Sequence, residues 1–82
     1  MKPGETLIQM AERHILEGER HVRSQRAILA RLDADGLPTD VAEDLLQQFE
    51  SSLADHRASL ARMRDEQRRG LRDAGGQLIF DA

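Results

Sequence analysis

Residues 33–40 read DADGLPTD and lie between two long runs of helix-forming residues. Gly36 suits the left-handed conformation that terminates a helix, Pro38 blocks easy continuation, and Thr39 or Asp40 is placed to cap a second helix. The octet therefore reads as a turn between two helices, about 5–34 and 40–69. If Thr39 is the cap, Glu43 or Asp44 falls near the position of a capping-box partner, although the spacing fits loosely. At 1.5 Å per residue each helix is roughly 45 Å long, and a turn this short makes them antiparallel neighbours.

Outward from the turn, both helices carry a heptad seam. On the first side Ile8, Ala11, Ile15, Gly18, Val22, Gln25, Leu29 and Leu32 step by three and four without a break. On the second, Ala42, Leu46, Phe49, Leu53, His56, Leu60, Met63 and Gln67 do the same. Apolar residues at this spacing form one helix face. Folding at Gly36–Pro38 brings Ile15 near Leu60, Val22 near Leu53 and Gly18 near His56, to within about one helical turn. A glycine inside a helix costs about 1 kcal/mol relative to alanine, so Gly18 implies a bulky side chain lying close against it. Gln25 and Gln67 are polar seam residues of the kind that fix register.

Beside the seam runs a second column. With Ile8 at heptad position a, Leu7, His14, His21 and Ile28 all occupy position g, bordering the core. Leu45, Ser52 and Ser59 flank the seam of the second helix at the same heptad interval. A lone hairpin leaves this surface uncovered, together with Met10 and Leu16 elsewhere on the first helix and Val41 on the second. Two hairpins packed into a four-helix bundle would cover it, with the serines permitting close helix approach. The expected dimer interface is Leu7, His14, His21, Ile28, Leu45, Ser52 and Ser59. A monomeric hairpin and a hetero-assembly are the alternatives.

The histidines also raise a chemical question. The triplet Glu-Arg-His occurs at 12–14 and again at 19–21, with Glu17 between the two imidazoles. His14, Glu17 and His21 share a helix face, and His56 sits in the facing seam, so the three imidazoles are expected to converge on one slice of the bundle. Three imidazoles and a carboxylate are a donor set for zinc or a related divalent ion. Two observations oppose this. The Glu-x-x-His motif of di-metal bundles is absent, because Ala11, Gly18 and Leu53 occupy the positions three before the histidines. His14 and His21 are also about 10 Å apart along the axis. The structural alternative is imidazoles at a bundle boundary, hydrogen-bonded to Glu or Gln.

Composition limits the remaining classes. The chain has 82 residues, 39% apolar and 33% charged, with no cysteine, tryptophan or tyrosine. It therefore lacks disulfides and thiolate sites, favours helix over strand, and forms one small domain that would gain from self-association. Nothing approaches a membrane span and MKPGETLIQM lacks the apolar stretch of a signal peptide, so a cytoplasmic, unprocessed protein is expected. No nucleophile elbow or phosphate loop is present, which points away from an enzyme, and no cofactor is implied. The net charge of -3 is balanced. Arg13, Arg20, Arg23, Arg31, Arg57, Arg64, Arg68 and Arg72 offer a phosphate-binding stripe, making RNA a rival partner, but acids are interspersed and surface aromatics are lacking. After Gly75–Gly76 the chain ends in QLIFDA, expected as a flexible tail over 74–82, with docking of this arm onto a partner as the alternative.

The stretch ERHILEGERHVRSQRAILARL at 12–32, followed by DGLPTDVAEDLLQQFESSLADHRASLARM at 35–63, resembles a group of short bacterial helical-hairpin proteins of unknown function. The resemblance spans roughly residues 5–64. It implies a stand-alone helical hairpin from a high-GC bacterium and brings no activity, cofactor or site residue with it. The expectation is a non-enzymatic interaction or regulatory module acting as a homodimeric bundle, with divalent-metal binding and RNA binding as alternatives.

Overall fold

The computed structural model describes residues 2–79, and the part of the apolar tail at 80–82 lies outside them. Two helices, α1 (Leu7–Ala34) and α2 (Asp40–Arg68), pack as an all-α antiparallel hairpin.

Both helices end in the same way, and this sets the hairpin. At the end of α1 the Gly36 amide donates to the Asp33 carbonyl and the Leu37 amide to the Leu32 carbonyl, with Gly36 at φ 68°. At the end of α2 the Gly70 amide donates to Gln67 and the Leu71 amide to Glu66, with Gly70 at φ 76°. These are Schellman closures, which satisfy the last carbonyls of a helix and turn the chain sharply.

The N-terminal caps differ from the sequence reading. Thr39 makes no side-chain cap hydrogen bond, so α2 begins on the acidic first-turn residues Asp40 and Glu43, which complement the positive end of the helix dipole. The capping box is at α1 instead. The Gln9 amide donates to Thr6 Oγ1 at 3.1 Å and the Thr6 amide to Gln9 Oε1 at 3.0 Å.

The core is a single layer between the helices. Ala11, Val22, Ala42, Leu53 and Leu60 are buried, and so is Gln25, only 5% exposed. Gln25 donates from Nε2 to the Ala42 carbonyl at 3.0 Å, a cross-helix bond that ties register near the turn. Gly18 is covered by Leu53, whose Cδ1 lies 3.1 Å from where a Cβ on Gly18 would stand. The close approach expected of Gly18 is present, but the residue against it is Leu53, one turn from His56.

Residues 70–79 form a hydrogen-bonded loop, and the tail expected over 74–82 continues at 80–82 outside the described residues. Arg72 and Leu78 pair antiparallel, and the Asp73 carboxylate accepts the amides of Gly75 and Gln77, both at 3.0 Å. Gln67 Nε2 donates to the carbonyls of Asp73 and Ala74, so this seam glutamine holds the loop. The loop also covers the start of α1: the Ile8 amide donates to the Gly75 carbonyl at 3.1 Å. That amide is one of the donors a helix N-terminus leaves without an internal partner. Gln77, Leu78 and Ile79 pair back onto Leu71, Arg72 and Asp73, while Gly75 and Gly76 meet Ile8 at the start of α1.

A hairpin this thin is far from compact. It measures 61 × 23 × 17 Å with a radius of gyration of 17.4 Å, whereas a globular chain of this length has roughly 12 Å.

Candidate functional site: the two flanks of the hairpin

An antiparallel hairpin has two flanks beside its seam, and here they differ in chemistry. On one flank three ion pairs cross between the helices: Arg64 to Glu12 at 3.6 Å, Arg57 to Glu19 at 3.8 Å, and Arg26 to Glu50 at 3.5 Å. All six residues occupy heptad position e. Their side chains are between 41% and 63% exposed, so each pair is worth roughly 0.2–1 kcal/mol and is weakened by salt. This ladder gives the flank a polar, water-facing finish. Its signal was present in the sequence as opposite charges at matched e positions.

Among the described residues the other flank has no such ladder. Here an open groove of about 240 Å³ is lined by His14, Glu17, Gly18, His21, Phe49, Ser52 and His56. Toward the turn it continues onto Ile28 and Leu45, which are 50% and 38% exposed. Toward the chain termini it meets Leu7 and Ser59, both half-buried. The residues expected to form a dimer interface therefore follow one flank of the hairpin, and Phe49 joins them from a seam position. Phe49 went unrecognised because seam periodicity alone does not distinguish a side chain under the helices from one leaning into the flank.

The histidines divide into two ring contacts. His14 and His56 meet across the seam with centroids 5.2 Å apart and planes tilted by 51°. His21 and Phe49 meet in a T-shaped arrangement, also at 5.2 Å, with planes at 74°. The expected convergence of three imidazoles is thus a pair plus a neighbour one layer away. The neighbouring carboxylate and amides are engaged elsewhere. Glu17 accepts from Arg13 at 2.9 Å, while Gln25 and Gln67 donate to backbone carbonyls. Ring contacts take the place of the expected histidine hydrogen bonds to Glu or Gln. Among the described residues no group of three His, Asp or Glu side chains is gathered as a metal ligand set.

Arg13 organises the start of α1. Its guanidinium donates to both Glu5 oxygens, at 2.9 and 3.1 Å, and to Glu17. Hydrogen bonding from Arg13 holds the Glu5 and Glu17 carboxyls below the ordinary carboxylate value, and the same bonds raise the Arg13 pKa further. Of the arginines considered for a phosphate stripe, Arg13, Arg57, Arg64, Arg68 and Arg72 lie in ion pairs with acids of the same chain. No helix among the described residues is long and apolar enough to cross a membrane. Comparison of the chain with protein-family models, curated proteins and solved structures finds no match.

Proposed function

We propose that the chain is a non-enzymatic interaction module whose working form is a homodimeric four-helix bundle, joined through the histidine-bearing flank. The observation that carries this reading is the excess of surface. The chain exposes 6106 Å², whereas a globular monomer of 9.3 kDa exposes roughly 5,000 Å². The difference, about 1,100 Å², is comparable to the roughly 800 Å² that each partner contributes to a stable protein interface.

The choice of flank follows from desolvation. Docking on the ladder side would strip water from three ion pairs, a cost their mutual attraction repays poorly. On the other side, docking buries Ile28, Leu45 and Phe49 around serines and imidazoles. A second copy suits this surface because column g presents neither a block of like charge nor a projecting loop, so the flank can oppose itself about a two-fold axis. Residence in the cytoplasm belongs to the same reading.

The experiment is charge insertion read by sedimentation equilibrium. Ile28→Asp and Leu45→Asp are expected to shift the chain toward monomer, whereas Leu16→Asp, on the ladder side beside Glu12 and Arg64 and 59% exposed, leaves association unchanged. Equal effects at all three positions, or none at Ile28 and Leu45, would remove this flank from the interface.

A further inference from the structure

The His14–His56 pair is more than a boundary contact, and we propose that it is a two-imidazole chelate for a divalent transition-metal ion, clipping α1 to α2 within one chain. A ring nitrogen binds zinc at about 2.0–2.1 Å, and the ring centroid lies about 1.1 Å further out. Two imidazoles on one tetrahedral ion therefore hold their centroids roughly 5 Å apart. His14 and His56 stand at 5.2 Å, from opposite helices, with tilted planes. Both rings line the open groove. His21, in T-shaped contact with Phe49, has no second imidazole at this distance and serves as an internal control.

The donor set decides the ion and the coordination. Neutral imidazole suits zinc, copper and nickel and does not suit calcium or magnesium. Glu17, one turn from His14, is engaged by Arg13 at 2.9 Å. In the undocked chain, water from the open groove fills the remaining positions. Because the ligands come from both helices, the ion binds the folded hairpin more tightly than the unfolded chain, so metal raises the apparent stability with the logarithm of its free concentration above the Kd.

This inference goes beyond the dimer, since both imidazoles belong to one chain. Zinc binding is expected to persist in the Ile28→Asp chain even where that variant is monomeric, so either claim can fail without the other. The test is calorimetric titration of zinc into the full chain at about pH 7.5, where imidazole competes weakly for protons. Wild type is expected to bind one zinc per chain saturably. His14→Ala and His56→Ala should each weaken binding about tenfold or more, and His21→Ala by less than about twofold. Nitrogen-15 spectra of wild-type imidazoles make the test independent of whether an alanine variant folds. Zinc should shift the side-chain nitrogens of His14 and His56 and leave those of His21 in place. Absence of saturable binding, or shifts and losses at His21 equal to those at the pair, would overturn the proposal.

Discussion

Gly18 and Leu53 form the tightest contact across the seam, and substituting both residues separates two opposing effects. Replacing an interior helical glycine with alanine gains about 1 kcal/mol of helix propensity. The new Cβ would stand 3.1 Å from Leu53 Cδ1 and 3.6 Å from its Cβ, where carbon contacts are most favourable at about 3.5–4.0 Å. Leu53 is 6% exposed, and its side chain can yield only toward the open groove that it lines on the ladder flank. Overpacking of this kind costs about 1–3 kcal/mol, which offsets or exceeds the gain. Gly18→Ala alone is therefore expected to be between neutral and about 2 kcal/mol destabilising. Leu53→Ala costs about 2–5 kcal/mol, toward the lower end because the thin hairpin can collapse around the gap. With Leu53 already truncated, Gly18→Ala should stabilise by about 1 kcal/mol, giving a coupling of about 1–3 kcal/mol. Urea unfolding of the four chains at one fixed protein concentration measures it, the concentration being held because association contributes to stability. A stabilising Gly18→Ala of equal size in both backgrounds would refute the close-approach argument.

The remaining predictions concern charge and the C-terminal loop. Glu5 and Glu17 have folded pKa values below the ordinary 4.5, so their pairing with Arg13 stabilises the fold above that value and is lost as pH falls through their depressed pKa values. Urea midpoints should therefore fall on acidification below about pH 4.5, and Arg13→Met should flatten that part of the profile; an unchanged slope would contradict the assignment. Glu19→Lys, which opposes Arg57, should cost about 0.5–1 kcal/mol at low salt and much less at about 1 M salt, measured by thermal unfolding. Gly76→Ala places a Cβ 2.7 Å from Ile8 Cγ1 and should release the loop. The Ile8 amide should then exchange about tenfold faster while amides in mid-helix keep their protection; an Ile8 rate that stays the same would mean the loop does not cap α1.

The hairpin was legible in the sequence because each determinant is local. Gly36 and Pro38 mark the stop, and the steps of three and four from Ile8 to Leu32 and from Ala42 to Gln67 mark the buried faces. What escaped depends on where side chains point or on contacts distant in sequence. Thr6-x-x-Gln9 is a capping signal as clear as any near Thr39, but Thr6 has the extended backbone of a cap, with ψ 167°, whereas Thr39 has ψ -2° and makes no cap hydrogen bond. The fold of residues 70–79 relies on the Ile8 amide, more than sixty positions away in the chain, and on Gln67 turning from the seam to the loop. At the histidines, periodicity gave the column but not the pairing. His14 and His21 share column g, yet the register of α1 against α2 sets His14 on His56 and His21, one heptad on, on Phe49.

The central claim is that one flank of this hairpin is built to meet a second copy of itself. The most direct measurement is the solution mass of the wild-type chain by sedimentation equilibrium, in chelator to exclude any contribution from metal, across micromolar to millimolar concentration. The account predicts a mass reaching twice the 9.3 kDa of the chain, with no further growth once the bundle closes. A mass that remains that of a single chain at the highest concentration, or that climbs without limit, would contradict it.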